Sequence, residues 1–132
     1  MFSLQNKEIR DLGILIIRVG IGFMFILHGW PKFSGGPEKW IGLGKYGMSH
    51  IGIDFIPIFW GFMAAASEFI GGIHLMLGLF TRVSAFFMSI TMLVASMTHL
   101  QDGILEASHA LESSIIFIGI MLIGAGKYSL DN

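Results

Sequence analysis

Residues 55–80 read FIPIFWGFMAAASEFIGGIHLMLGLF, an apolar run long enough to cross a bilayer with one carboxylate, Glu68, near its middle. A soluble helix would turn Glu68 toward water, but Phe, Ile, Met, Leu and Trp occupy every side of this one, so no wet face exists. Intramembrane acids are costly and usually point into a bundle or a water-filled cavity, which makes Glu68 a functional-site candidate. Small residues share its side of the helix, since Gly61, Ala64, Ala65, Glu68, Gly71 and Gly72 fall within an arc of about 120° at 100° per residue. Such a stripe predicts close approach of a neighbouring helix.

Composition agrees. Of the 132 residues, 54% are hydrophobic and only 13% charged, too few to clothe a soluble surface, and one domain is predicted over residues 1–132. The net charge of −1, with no basic stripe, argues against a nucleic-acid partner. Without cysteine the chain runs no thiol chemistry of its own and offers no thiolate metal site. The N-terminal stretch fails as a secretory signal, because Glu8, Asp11 and Arg18 interrupt it and no small-x-small site follows; a retained first span is expected.

Working outward, Leu12 to Trp30 is the first span, roughly 28 Å at 1.5 Å per residue, with Pro31 expected to end it. A Gly-rich, partly helical loop carrying Trp40 and Tyr46 leads to the second span at 55–80. Thr81-Arg82 forces the third, 83–99, to return beside it, and the fourth is expected at about 111–126. The fold class is all-α: an antiparallel bundle of four transmembrane helices. Lys7, Arg10, Arg82 and Lys127 lie on one side against Lys32, Lys39 and Lys45 on the other. The loop between the last two spans carries Asp102 and Glu106 but no Lys or Arg, so both termini are expected to be cytoplasmic.

Two polar groupings are candidates for function. The first joins Arg18, Glu68, His74, Trp60 and Thr91, the last from a hydroxyl stripe with Ser84 and Thr98. Turn-counting puts Arg18 about 9 Å and Glu68 about 18 Å from the cytoplasmic edge, with His74 level with Arg18, so a direct Arg18–Glu68 bridge needs an offset in register or a bridging group. The second lies at the outer end: His28, Lys32, His99, His109 and Glu112. Glu106, His109 and Glu112 recur every three residues, but carboxylate-bridged metal bundles need two Glu-x-x-His motifs and only one is present, so no metal site is assigned. His74 or His99 could in principle ligate a haem, although packed or interfacial histidines are the commoner case. Phosphate-loop and dinucleotide patterns are absent.

The stretches RVGIGFMFILHGWPKF, SEFIGGIHLMLGLFTR and GAGKYSLDN together resemble the DoxX family of small four-span membrane proteins, over nearly the whole chain. The resemblance implies a four-helix bundle in the bacterial inner membrane, sometimes attached to oxidoreductases: relatives occur as a subunit of thiosulfate:quinone oxidoreductase or with thiol-dependent redox complexes, while most have no assigned activity. The family's usual positions fall on Arg18, Gly22, His28, Gly29 and Lys32, and on Glu68, Gly71, Gly72 and Arg82. Ala125 and Lys127 stand where Gly-Pro-Gly-Arg is commoner.

Taken together these features predict a redox-associated accessory subunit whose internal pocket, lined by Arg18, Glu68, His74 and the hydroxyl stripe, holds a small amphipathic molecule such as a quinone. Arg18, His74, Thr91 and Trp60 are the expected donors to its head. The alternatives are a small permease and a purely structural anchor for a partner enzyme. The chain is not expected to be a self-sufficient enzyme, since electron transfer would need an added cofactor. Its expected partners are the lipid bilayer, a redox enzyme and further copies of itself.

Overall fold

The computed structural model describes residues 6–132, so the first five residues of the leader stretch lie outside it. Five helices follow one another: α1 Asn6–Ser34, α2 Gly36–Met48, α3 Pro57–Leu77, α4 Thr81–His99 and α5 Ile104–Ile123, with 3-10 turns at Ser49–Ile51 and Leu100–Asp102. Four of them, α1, α3, α4 with its 3-10 turn, and α5, are long and apolar enough to cross a membrane. Large apolar side chains stand outward on all of these, among them Ile16, Leu105, Ile115 and Leu122 at 70%, 83%, 68% and 73% exposure. Patches of that extent are stable only against lipid, and the molecule is an all-α four-span membrane protein.

The boundaries correct the expected spans 12–30, 55–80, 83–99 and 111–126 in three places. Pro31 does not end the first helix, which runs on to Ser34. Proline removes one backbone donor, a loss tolerated in a membrane helix when the extra turn packs. Here Phe33 stacks on Phe69 with ring centroids 5.1 Å apart and meets Phe62 at 6.0 Å. The break comes instead at Gly35-Gly36, where Gly36 takes φ +82°. The expected loop is then largely α2, which opens with Pro37 in its first turn.

Another correction concerns α5, which begins at Ile104 and not near 111. Its first turns carry their ionisable side chains outside and small ones inside: Glu106, His109 and Glu112 are exposed while Ala107, Ala110, Ser113 and Ser114 are buried. A window average hides that division. The second span is shorter than read, closing at Gly78 (φ +68°), where the Gly78 and Leu79 amides turn back to the Leu75 and His74 carbonyls at 3.2 and 2.9 Å.

Helix pairing follows the small residues. A Cβ on Gly22 would stand 2.7 Å from the Gly72 carbonyl oxygen, and one on Gly29 would stand 2.5 Å from the Phe69 nitrogen. Higher up, Gly61 lies beneath the Trp40 backbone and Gly44 beneath that of Pro57, with no room for a Cβ at either. Residues 22, 29, 40 and 44 thus meet 72, 69, 61 and 57 in turn, so α1 and α2 run end to end along α3, antiparallel to it. The core lies among α1, α3, α4 and α5 and holds Phe25, Leu75, Ala85, Met88, Met92, Ala110, Phe117 and Ile120. Phe25 meets Phe117 edge-on at 4.9 Å.

The tail, residues 124–132, folds back over the end of the bundle where α3 meets α4. Leu130 and Asp131 donate their amides to the Leu77 and Gly78 carbonyls at 3.2 and 2.8 Å. The Asp131 carboxylate in return accepts from the Phe80 and Thr81 amides at 2.8 and 2.9 Å, capping α4 from fifty residues away in sequence. Burial alone would raise this carboxyl. Hydrogen bonds from Thr81 and Phe80 and the nearby Arg18 charge outweigh it, so the acid sits below its ordinary value. The Thr81 hydroxyl is buried beside the carboxylate yet outside hydrogen-bond geometry with any group among the described residues.

A folded-state value below the unfolded one stabilises at pH above the unfolded value and is lost as pH falls through the folded one, a window below about pH 4. Detergent-solubilised protein should therefore lose melting temperature on titration from pH 5 to pH 3. Asp131→Asn should start lower and lose less over the same interval, and equal slopes for the two proteins would show that the cap carries no charge-dependent stability.

Candidate functional site

The sequence candidates separate into two centres. Arg18 belongs to the one at the tail side. It is 1% exposed, and its guanidinium donates to four carbonyls: Nε to Leu75 at 2.8 Å, Nη1 to Ala125 at 2.6 Å, and Nη2 to Tyr128 at 2.9 Å and Met76 at 3.4 Å. Two of these belong to the last turn of α3, whose carbonyls have no partner within the helix, and two to the tail. The planar fork of arginine suits such a cage. Arg18 therefore does not share a pocket with Glu68, and it is withdrawn as a donor to any ligand held there.

His74 is withdrawn likewise. Its Nδ1 lies 2.9 Å from the Ser84 hydroxyl on α4, its ring stands edge-on to Phe80 at 5.7 Å, and it does not line the cavity described below.

Glu68 finds a different partner. The Lys32 ammonium contacts both carboxylate oxygens, at 2.8 Å to Oε2 and 3.1 Å to Oε1, with side-chain exposures of 35% for Lys32 and 5% for Glu68. The extension of α1 past Pro31 makes this pair, because it carries Lys32 inward along α3 instead of leaving it in a loop. The lysine also sits in the last turn of α1, where a cation is favoured by the helix dipole. The Trp40 indole donates to the Lys32 carbonyl at 3.1 Å and so covers one of the unpaired groups at that helix end.

Beside the ion pair lies a cavity of about 520 Å³ between α2, α3 and α4. Its wall is mainly apolar, with Leu43, Phe59, Met63, Phe87, Ile90 and Val94 prominent. Polar groups are few: Lys32 and Glu68, with Tyr46, Ser67, Thr91, Thr98 and His99. Trp60 and Thr91 do line it, but their hydrogens are already committed, the indole to the Phe55 carbonyl at 3.0 Å and the hydroxyl to the Phe87 carbonyl at 2.9 Å. Thr98 is committed in the same way, to the Val94 carbonyl at 3.1 Å. Lys32 is the donor that sequence reasoning assigned elsewhere. An ammonium carries three hydrogens, and two directed at Glu68 leave one for an acceptor in the cavity.

The outer-end grouping divides accordingly. Lys32 joins Glu68, and His99 reaches the cavity. His28 and His109 bring their rings together at 5.6 Å, with Phe25 at 5.8 Å from His28, while Glu112 is exposed. Among the described residues no group of three or more His, Asp or Glu side chains is placed to hold a metal ion.

Comparison with known proteins places the chain among relatives of the same build. The family model described as DoxX matches residues 13–100. An uncharacterized protein of Haemophilus influenzae is 32% identical over 96% of this chain and 93% of its own length. Inner membrane protein YqjF of Escherichia coli is 31% identical over 95% of this chain and 94% of its own length. A Bacillus subtilis protein named "Putative oxidoreductase CatD" is 32% identical over 71% of this chain and 63% of its own length. No solved structure matches.

Proposed function

The chain belongs to the DoxX family, and from that premise we propose that it is a multi-pass inner-membrane accessory protein of redox metabolism whose cavity holds a quinone. The names of the Escherichia coli and Bacillus subtilis relatives support the compartment and the redox setting. One observation carries the ligand: an ion pair with a buried carboxylate and one ammonium hydrogen to spare opens on a mainly apolar cavity of about 520 Å³. A quinone presents carbonyl acceptors on a flat apolar ring and needs such a site, a few placed polar groups in an apolar sleeve.

In this reading Lys32 donates to one carbonyl and Glu68 holds the ammonium charged and aimed. Electrons would come from a partner oxidoreductase docked on the protein. A permease has less support, because Arg18, which would line its path, is enclosed by carbonyls. We place both termini in the cytoplasm. With Lys32 drawn into the Glu68 pair, Lys7, Arg10, Arg82 and Lys127 face only Lys39 and Lys45 as basic residues at the opposite end.

Native mass spectrometry of gently solubilised protein tests the ligand. Wild type should release a quinone, and Lys32→Met should carry much less of it. An occupant without an acceptor head, or wild type and Lys32→Met equally loaded, would overturn the assignment.

A further inference from the structure

Several residues of the cavity wall are at once cavity-lining and outward-facing. Tyr46, Phe59, Phe87 and Ile90 line it, yet they are 55%, 47%, 43% and 44% exposed. Tyr46 and Phe59 stand near the outer ends of α2 and α3, as His99 does at the end of α4, whereas Phe87 and Ile90 lie deeper. Ile90 is nine residues from Thr81, the start of α4, and nine from His99, its end, so it stands about 14 Å from either. That is mid-span, the deepest hydrocarbon. Glu68 is likewise nine residues from the inner end of α3, so the ion pair and the opening stand at about the same depth.

The seam between α2 and α4 explains the opening. The two helices approach at Gly47, where an added Cβ would lie 3.8 Å from Val94 Cγ1, an ordinary contact. One turn below Val94, Ile90 and then Phe87 border the cavity and face outward, and α2 has already broken from α1 at Gly35-Gly36.

We infer that the cavity fills from within the bilayer, through a side opening at Phe87 and Ile90 between α2 and α4. Its occupant is then a membrane-dissolved amphipath: an acceptor head reaching the Lys32 ammonium, and a hydrocarbon tail left in the lipid. This rests on the reading that the cavity is a binding site, and adds the route and the class of molecule. A quinone with an isoprenoid tail satisfies both ends.

The absence of cysteine makes the route directly measurable. Ala64 lines the cavity and is half-buried, so Ala64→Cys puts a single thiol on its wall. In proteoliposomes that thiol should react with a lipophilic maleimide faster than with a sulfonated, membrane-impermeant one by roughly tenfold or more, since a sulfonate cannot enter hydrocarbon. Adding Ile90→Trp should slow the lipophilic reagent several-fold. The same reagent should label a lipid-facing control, Ile115→Cys, at the same rate with and without Ile90→Trp.

Equal labelling of Ala64→Cys by the impermeant reagent from either side would overturn the lateral route and leave a quinone in the cavity standing. So would an unchanged rate with Ile90→Trp. The labelling needs no bound ligand, so protein that releases no quinone would remove the proposed ligand without deciding the route.

Discussion

Arg18→Gln should cost more stability than any other single polar substitution in the molecule. The guanidinium serves four carbonyls at 2.6–3.4 Å in a site with 1% exposure, and glutamine cannot span α3 and the tail together. A buried carbonyl stripped of its donor costs about 1–3 kcal/mol. Even with the Leu75 carbonyl keeping the Gly78 amide and half of the others recovered by water at the membrane surface, a few kcal/mol are lost from a total of about 5–15.

The Leu75 and Ala125 bonds are the shorter ones on each side, so their loss should detach the tail and uncap α4 through Asp131. Arg18→Lys should recover only part of the loss, because an ammonium lacks the planar fork. Thermal unfolding in detergent reads the stability, and carboxypeptidase digestion reads release of the tail. A glutamine variant with a wild-type melting temperature and a protected tail would mean that the carbonyl cage contributes nothing.

The second large effect is expected at the ion pair, and it is asymmetric. Lys32→Met strands a carboxylate that is 5% exposed, and breaking a buried pair in this way costs about 3–5 kcal/mol. Glu68→Gln should cost less, since Lys32 is 35% exposed and can turn its ammonium into the cavity. Lys32→Met with Glu68→Met removes both charges and should regain most of the stability, the usual outcome when apolar groups of similar size replace a buried pair.

Ligand retention should behave differently. It should fall with Lys32→Met and stay low in the double variant, because the donor is gone whether or not the fold is restored. A double-mutant cycle on melting temperature, run beside native mass spectrometry on the same four proteins, separates the two roles. Recovery of ligand in the double variant would show that the pair supports the cavity wall without touching its occupant.

Much of this architecture is legible in the chain. The number of spans follows from apolar runs longer than a hydrocarbon core, and the burial of Glu68 follows from the lack of any wet face on its helix. The seam between α1 and α3 is announced by Gly22, Gly29 and Gly72, because only residues without side chains allow backbones so close. Pro31 misled in the other direction: it removes a hydrogen bond, which is a local cost, whereas the helix continues for contacts that Phe33 and Lys32 make with a distant segment. The start of α5 was hidden because its polar and small residues average to an interfacial composition even though they occupy opposite faces.

The amino-acid sequence alone therefore determined an all-α four-span protein, the acid at its centre and the small-residue faces on which its helices meet, since each depends on side-chain type and spacing along one helix. Only the tertiary structure decided that Glu68 pairs with Lys32 and that Arg18 spends its charge on carbonyls. Pairing between helices depends on their axial register, which a periodic pattern leaves free. Carbonyl partners leave no trace in the sequence either, because every residue carries the same one. The acid first seen near the middle of residues 55–80 thus acquired its partner, and its cavity, from the way α1 and α2 lie end to end along it.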